Sequence, residues 1–212
     1  MKTFIEENRS DLSVEPVQSD QISKVADAQP KEDHVGQEAK RAKVKERKLL
    51  LAVLVGLPGS GKTTFSHRLI EALKDDENQV VRFSQDETSR DQCERDAHFH
   101  LSEEDSVNRI LIVDRTNFNA DQRSTWLKIA QRYRCPAVAV EFDVDPSRCT
   151  QRATSRQNHP TLQAKDAAKV VNSLAKAYRP PTMSEGFEAL FTTNTEDIDT
   201  VIQQLKEFYR AL

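Results

Sequence analysis

The run Gly56-Leu57-Pro58-Gly59-Ser60-Gly61-Lys62-Thr63 constrains this chain more than any other stretch, because it fits the pattern G-x-x-x-x-G-K-[ST]. It marks a nucleoside triphosphate site. The glycines Gly56, Gly59 and Gly61 let successive backbone N–H groups close around phosphates, with Pro58 and Ser60 in the same nucleotide-binding loop and Thr64 next in line after Thr63. Lys62 is placed to neutralise the β and γ oxygens, and the Thr63 hydroxyl to ligate Mg²⁺. The apolar run Leu49 to Val55 precedes the motif as a buried parallel strand would, and Phe65, Leu69, Ile70 and Leu73 follow at helical spacing. A helix starting there aims its positive end at the same anion.

Length and composition narrow the remaining choices. The 212 residues hold one α/β domain and an appendage, with no room for a second enzyme domain. A net charge of −3 gives no global basic signature, so any contact with nucleic acid must come from local patches. Cys93, Cys135 and Cys149 form an odd set without a C-x-x-C pair, which favours free thiols in a reducing compartment. No apolar stretch approaches a membrane span and the N-terminus lacks the apolar core of a signal peptide, so a soluble, intracellular protein without membrane contact is expected.

Residues 1–47 are polar and carry no sustained apolar period, the composition of a disordered tail. Its end, Lys40 to Lys48, packs six basic residues into nine. That cluster reads as a nuclear import signal or a nucleic-acid-facing arm, and equally as the solvated start of the first element. Residues 48–212 alternate apolar runs with helical patterns. Strands are predicted near 49–55, 79–83, 110–114, 137–142 and 187–191, and helices near 62–74, 121–133, 146–157 and 164–178. A last helix presents Ile198, Val201, Ile202, Leu205, Phe208 and Tyr209 on one face. Residues 91–109 carry the weakest signal, with Phe99 and Leu101 as the available anchors and no convincing long helix. The expected fold is an α/β P-loop NTPase three-layer sandwich, with a mostly parallel five-stranded sheet and a helical lid at about 146–160.

The other strand ends decide which chemistry the loop serves. No N-K-x-D run occurs, which disfavours a guanine-specific switch. Asp86 follows the second strand at the carboxyl edge of the sheet, where it can accept the proton of an attacking hydroxyl or, more simply, cap a helix. Asp114 ends the run Ile110-Leu111-Ile112-Val113 and could reach the Mg²⁺ shell, the acceptor hydroxyl or a surface turn. Arg115, Thr116 and Asn117 extend polar groups toward the same crevice. Arg152 and Arg156 stand four apart on one helical face, either as a lid over the γ-phosphate or as a solvated basic face. Arg123, early in the following helix, is a candidate for an anionic group of the acceptor. Asp143-Val144-Asp145-Pro146-Ser147 imitates paired phosphatase aspartates, and Cys93, His98 and His100 imitate a metal cluster without a fourth ligand at zinc spacing.

Together these residues resemble the kinase domain of polynucleotide kinase 3′-phosphatase and related P-loop polynucleotide 5′-hydroxyl kinases, from about Leu50 to Phe191. Beyond Gly56 to Thr64, the landmarks are Gln85-Asp86, Val113 to Asn117, Arg123, Arg152 and Arg156, His159-Pro160, and Tyr178-Arg179-Pro180-Pro181 running into Glu185-Gly186-Phe187. The chain also looks like the kinase-like module that plants and fungi pair with aprataxin-type repair domains, through Gln85-Asp86-Glu87, Asp114-Arg115 and His159 to Leu162.

The resemblance implies transfer of the ATP γ-phosphate to the 5′-hydroxyl of a DNA or RNA end, in strand-break repair or RNA end processing. On it, Asp86 is the general base, Lys62 and Thr63 hold phosphates and metal, Arg152 and Arg156 clamp the transferring group, and Asp114 and Arg123 meet the acceptor end or its metal. Nucleic-acid 5′ ends are then the expected partners, with repair or RNA-processing proteins reached through the tail and the nucleus as the favoured location. Two other functions suit the same scaffold: a small-molecule kinase, and a non-catalytic ATP-binding adaptor.

Overall fold

The computed structural model describes residues 47–74, 78–155 and 162–212. The expected tail at 1–47 falls outside these except for Arg47, as do Arg156, His159 and Pro160 of the expected lid. Five parallel strands form one sheet in the order β2-β3-β1-β4-β5. They span Leu49–Val55 (β1), Asn78–Ser84 (β2), Asn108–Asp114 (β3), Ala137–Phe142 (β4) and Ala189–Thr193 (β5). The helices are Lys62–Ala72 (α1), Arg90–Ser102 (α2), Ala120–Arg132 (α3), Pro146–Ser155 (α4), Ala164–Ala177 (α5) and Ile198–Ala211 (α6).

Every residue of β1 is buried, because it lies between β3 and β4 and under helices on both faces. Side chains alternate between faces along a strand. Leu51, Val53 and Val55 therefore join Leu111, Val113 and Ala139 beneath α2 and α3, where Trp126 and Ile129 close the layer. Leu50, Ala52 and Leu54 join Ile110, Ile112 and Val140 beneath α1 and α6, against Phe65, Leu69, Ile202 and Leu205. A third, smaller cluster holds α4 and α5 together through Cys149, Ala153, Ala167 and Val171. The result is the three-layer α/β sandwich expected from the alternating pattern.

Two expectations need correction. Residues 90–102 form the 13-residue helix α2, where no convincing helix is legible. Its fully buried positions are Cys93, Ala97 and Leu101, spaced four apart, so two small residues and one leucine form its buried apolar stripe. Phe99 is 60% exposed and anchors nothing, while the Ser89 hydroxyl caps the helix by accepting from Gln92 N at 3.2 Å. The final strand begins at Ala189, two residues after the expected start, because Gly186 turns at φ +107° and Phe187 tucks into the core beneath α2 and α3.

The corrected helix has a measurable consequence. Leu101→Ala should cost about 2–4 kcal/mol in denaturant unfolding, and Phe99→Ala less than about 0.5 kcal/mol. The reverse order would mean that α2 is rotated from the face described here.

Candidate nucleotide and acceptor cleft

Parallel strands deliver their carboxyl ends to one edge, and β1 sits where the strand order reverses. The chain leaves β1 there through the Gly56–Thr63 loop and enters α1 with Gly61 as N-cap, at φ +102°. No side chain caps this helix and no acidic residue occupies its first turn, so its N–H groups are left for an anion. Gly59, at φ +85°, carries a second constraint. A Cβ there would lie 2.3 Å from the Cys149 carbonyl oxygen, so only glycine lets α4 rest its backbone on the loop.

Lys62 is buried and folds back over the loop, donating to the Gly56 and Leu57 carbonyls at 2.9 and 2.8 Å. Pro58, Gly59, Gly61, Lys62 and Thr63 form the floor of a cleft of about 380 Å³. Its polar wall comes from the ends of β2 and β3: Gln85, Asp86, Asp114, Arg115 and Thr116. Register explains this juxtaposition, since Ser84 pairs with Asp114 and brings the two strand ends level. Leu162, Val170 and Leu174 form an apolar wall opposite. Gly56 and Ser60 lie beneath the floor, and Thr64 is exposed outside the lining.

Charge is distributed unevenly along the polar wall. Asp86 is exposed to the cleft, whereas Asp114 is buried and accepts twice on Oδ2 from Arg82, at 2.9 Å from Nε and 2.7 Å from Nη2. Arg82 also donates to Glu87, and despite burial these carboxylates raise its guanidinium above the ordinary range. Arg152 stands across the loop and donates to Thr195 Oγ1 at 3.3 Å, while the Thr195 methyl lies 3.1 Å from where a Gly61 Cβ would stand.

Comparison with known proteins fits this geometry. The model of the AAA domain family matches residues 51–181. The chain belongs to that family. Among curated proteins, this AAA domain is 30% identical over 164 residues to the transcription factor bHLH140 of Arabidopsis thaliana, covering 73% of the chain and 17% of the relative. It is 27% identical over 155 residues to the bifunctional polynucleotide phosphatase/kinase of Schizosaccharomyces pombe, covering 70% and 33%. The chain thus spans a third or less of either relative. Among solved structures, Chaetomium thermophilum Kti12 in complex with ADP-AlF3 superposes with a TM-score of 0.59 at 17% identity, over 74% of this chain and 97% of that one. A fungal RNA kinase superposes with a TM-score of 0.59 at 16% identity, over 79% and 89%. The fold is that of P-loop kinases, and the expected resemblance to polynucleotide kinases holds.

Not every candidate residue of the AAA domain reaches the cleft. Arg123 is fully buried in α3, away from the lining. Its Nε and Nη2 each donate to a Glu185 carboxylate oxygen at 2.7 Å, and its remaining bonds go to the Asn117, Arg179 and Pro180 carbonyls. Arg123 therefore ties the segment before β5 to α3, and the expectation that it meets the acceptor is corrected. Asn117 is likewise fully buried, at φ +43°, and its amide donates to the Leu54 carbonyl at 2.7 Å. It braces the end of β1 from behind the cleft. Of the pair that imitates phosphatase aspartates, Asp145 accepts from Ser147 N at 2.7 Å at the start of α4.

Four contributors escaped sequence reasoning: Arg82, Thr195, Val170 and Leu174. Arg82 had a usable signal, being a charge inside the apolar run Val80-Val81-Arg82-Phe83.

The Arg123–Glu185 pair yields a test. Burial opposes ionisation of Glu185, but the Arg123 guanidinium and the Thr182 N–H outweigh it and hold the carboxyl below its ordinary 4.5. A depressed carboxyl contributes stability that is present above its unfolded value and lost as pH falls through its folded one. Arg123→Ala should cost about 3–5 kcal/mol at pH 7 in denaturant unfolding, with the deficit shrinking as the pH falls below the ordinary 4.5 of Glu185. An unchanged midpoint with lost acceptor affinity would restore the acceptor role.

Proposed function

We propose that this chain is an ATP-dependent polynucleotide 5′-hydroxyl kinase, acting on DNA or RNA ends in strand-break repair or RNA end processing. The observation that carries the reading is that one cleft holds both halves of the reaction: Lys62 and Thr63 on its floor, and Asp86 on its wall. A carboxylate exposed to the same space as the phosphate loop is what transfer to an alcohol requires. The S. pombe phosphatase/kinase and the fungal RNA kinase support a nucleic-acid acceptor over a metabolite.

In this mechanism the loop N–H groups and Lys62 bind the β and γ oxygens, and Lys62 gives up its loop carbonyls to do so. Asp86 takes the proton of the acceptor hydroxyl as that oxygen bonds to the γ-phosphorus, and the bond to the β-phosphate oxygen breaks to release ADP. Arg152, with Arg156, neutralises charge on the transferring group. Thr63 and Asp114 suit Mg²⁺, since both are oxygen donors lining the cleft and this ion takes few protein ligands beside phosphates and water. Arg82 donates twice to Oδ2 of Asp114, which orients the carboxylate. The ion would supply charge neutralisation to the bound triphosphate. The N-terminal tail, with its basic end, is the segment proposed to reach repair or RNA-processing proteins and to direct the chain to the nucleus.

Transfer of labelled γ-phosphate to 5′-hydroxyl DNA and RNA oligonucleotides tests the proposal. Asp86→Asn should abolish transfer while ATP affinity stays within about twofold, because the change falls on the acceptor side. Lys62→Ala should abolish transfer and weaken ATP at least tenfold. Equal loss of ATP binding in both variants would remove Asp86 as base. ATP binding without transfer to any oligonucleotide would leave a metabolite kinase or an adaptor.

A further inference from the structure

Three arginines are buried among the described residues: Arg109, Arg115 and Arg123. Two are neutralised. Arg109 meets Asp105 and Glu103, and Arg123 meets Glu185. The half-buried Arg82 is served in the same way by Asp114 and Glu87. Arg115 breaks this rule. It is 7% exposed and, among the described residues, has no carboxylate within ion-pairing distance.

The surroundings of Arg115 are short of acceptors. Its Nε donates to Gln85 Oε1 at 2.9 Å, and its guanidinium lies over the Trp126 ring at 5.9 Å. Arg115 Nη1 and Trp126 Nε1 are both enclosed without a hydrogen-bond partner, so two unmatched donors occur on these two neighbouring side chains. The nearby carboxylate of Glu94 is engaged by Arg90 at 2.7 Å, and Arg90 itself repels the guanidinium. Burial first, then this repulsion, holds Arg115 below the ordinary arginine range. Neighbouring Cys93 is kept a neutral thiol, burial pushing it up. An uncompensated buried charge is unfavourable, and an incoming anion would offset that cost.

Arg115 also lines the cleft beside Asp86 and Gln85. We propose that Arg115 is the acceptor-side anion site of this cleft, holding a phosphate of the acceptor nucleotide while its hydroxyl faces Asp86. The inference rests on the kinase reading for the identity of the anion, not for its existence. Trp126, fully buried with its ring beneath the guanidinium, positions it. The planar fork of arginine suits a phosphate, which lysine would meet only as a point charge.

Trp126 is the one tryptophan of the chain, so its fluorescence reads this site directly. With the full chain saturated by a non-hydrolysable ATP analogue, so that the loop is filled, adenosine 3′-monophosphate is titrated and compared with adenosine. A saturable response to the phosphate form, at least tenfold tighter than to adenosine, is expected. Arg115→Met should bind the two alike, and Arg115→Lys should fall between them. Arg115→Met should also melt no lower than the native chain, since it replaces an unpaired buried charge by an apolar group of similar length. No preference for the phosphate form, or a preference that survives Arg115→Met, overturns the proposal; a buried water on the two donors would give that result. Kinase assays on the same protein variants, with ATP in place of the analogue, separate the two claims. Phosphate binding without transfer sinks the kinase reading and leaves the anion site, whereas transfer that ignores Arg115→Met does the opposite.

Discussion

The burial of β1 on all sides is the constraint from which the site follows. A strand enclosed by two neighbours and two helical layers can carry no polar side chain along its length, and all seven of its residues are buried and apolar. Its first polar business is therefore transacted where the chain emerges. There the backbone itself becomes the functional group, because the loop that follows offers N–H donors in a place that water or an anion can reach. The parallel arrangement delivers the ends of β2 and β3 to the same edge, so Asp86 and Asp114 arrive beside the loop without any local sequence link to it.

A second layer of constraint keeps this edge from collapsing. Gly59 lets the α4 backbone rest on the loop, so the first turns of the expected lid are a packed wall rather than a free arm. Arg82 absorbs part of the negative charge that Asp114 brings to the cleft. Asn117 and Arg123 act behind the scene of chemistry, bracing β1 and the segment before β5 through backbone carbonyls. Arg123 can be buried because carbonyls and the Glu185 carboxylate supply the bonds that water would have made.

That division explains what could be read in advance. The loop, Asp86 and Asp114 were legible because each sits at the end of a run whose apolar period announces a strand. Arg123 and Asn117 were misread because the same cue places a polar residue near the edge without saying whether it faces the cleft or the interior. The deciding partner of Arg123 is Glu185, 62 residues away, and no local period reveals it. Helix α2 was illegible for a different reason. It packs through Cys93, Ala97 and Leu101, and two small residues in three leave too weak a hydrophobic stripe to be seen.

By itself the sequence determined the architecture and the phosphate-binding half of the site, since both depend on short-range rules: apolar period, glycine at left-handed positions, and a lysine at fixed spacing. The arginines of the proposed acceptor side were sorted only by tertiary structure. Whether a buried arginine is a strut or a binding group depends on whether a carboxylate from elsewhere in the chain reaches it. Arg123 received one and Arg115 did not. Charge pairing over such separations is a property of the folded packing, and nothing in the local sequence of either arginine encodes it.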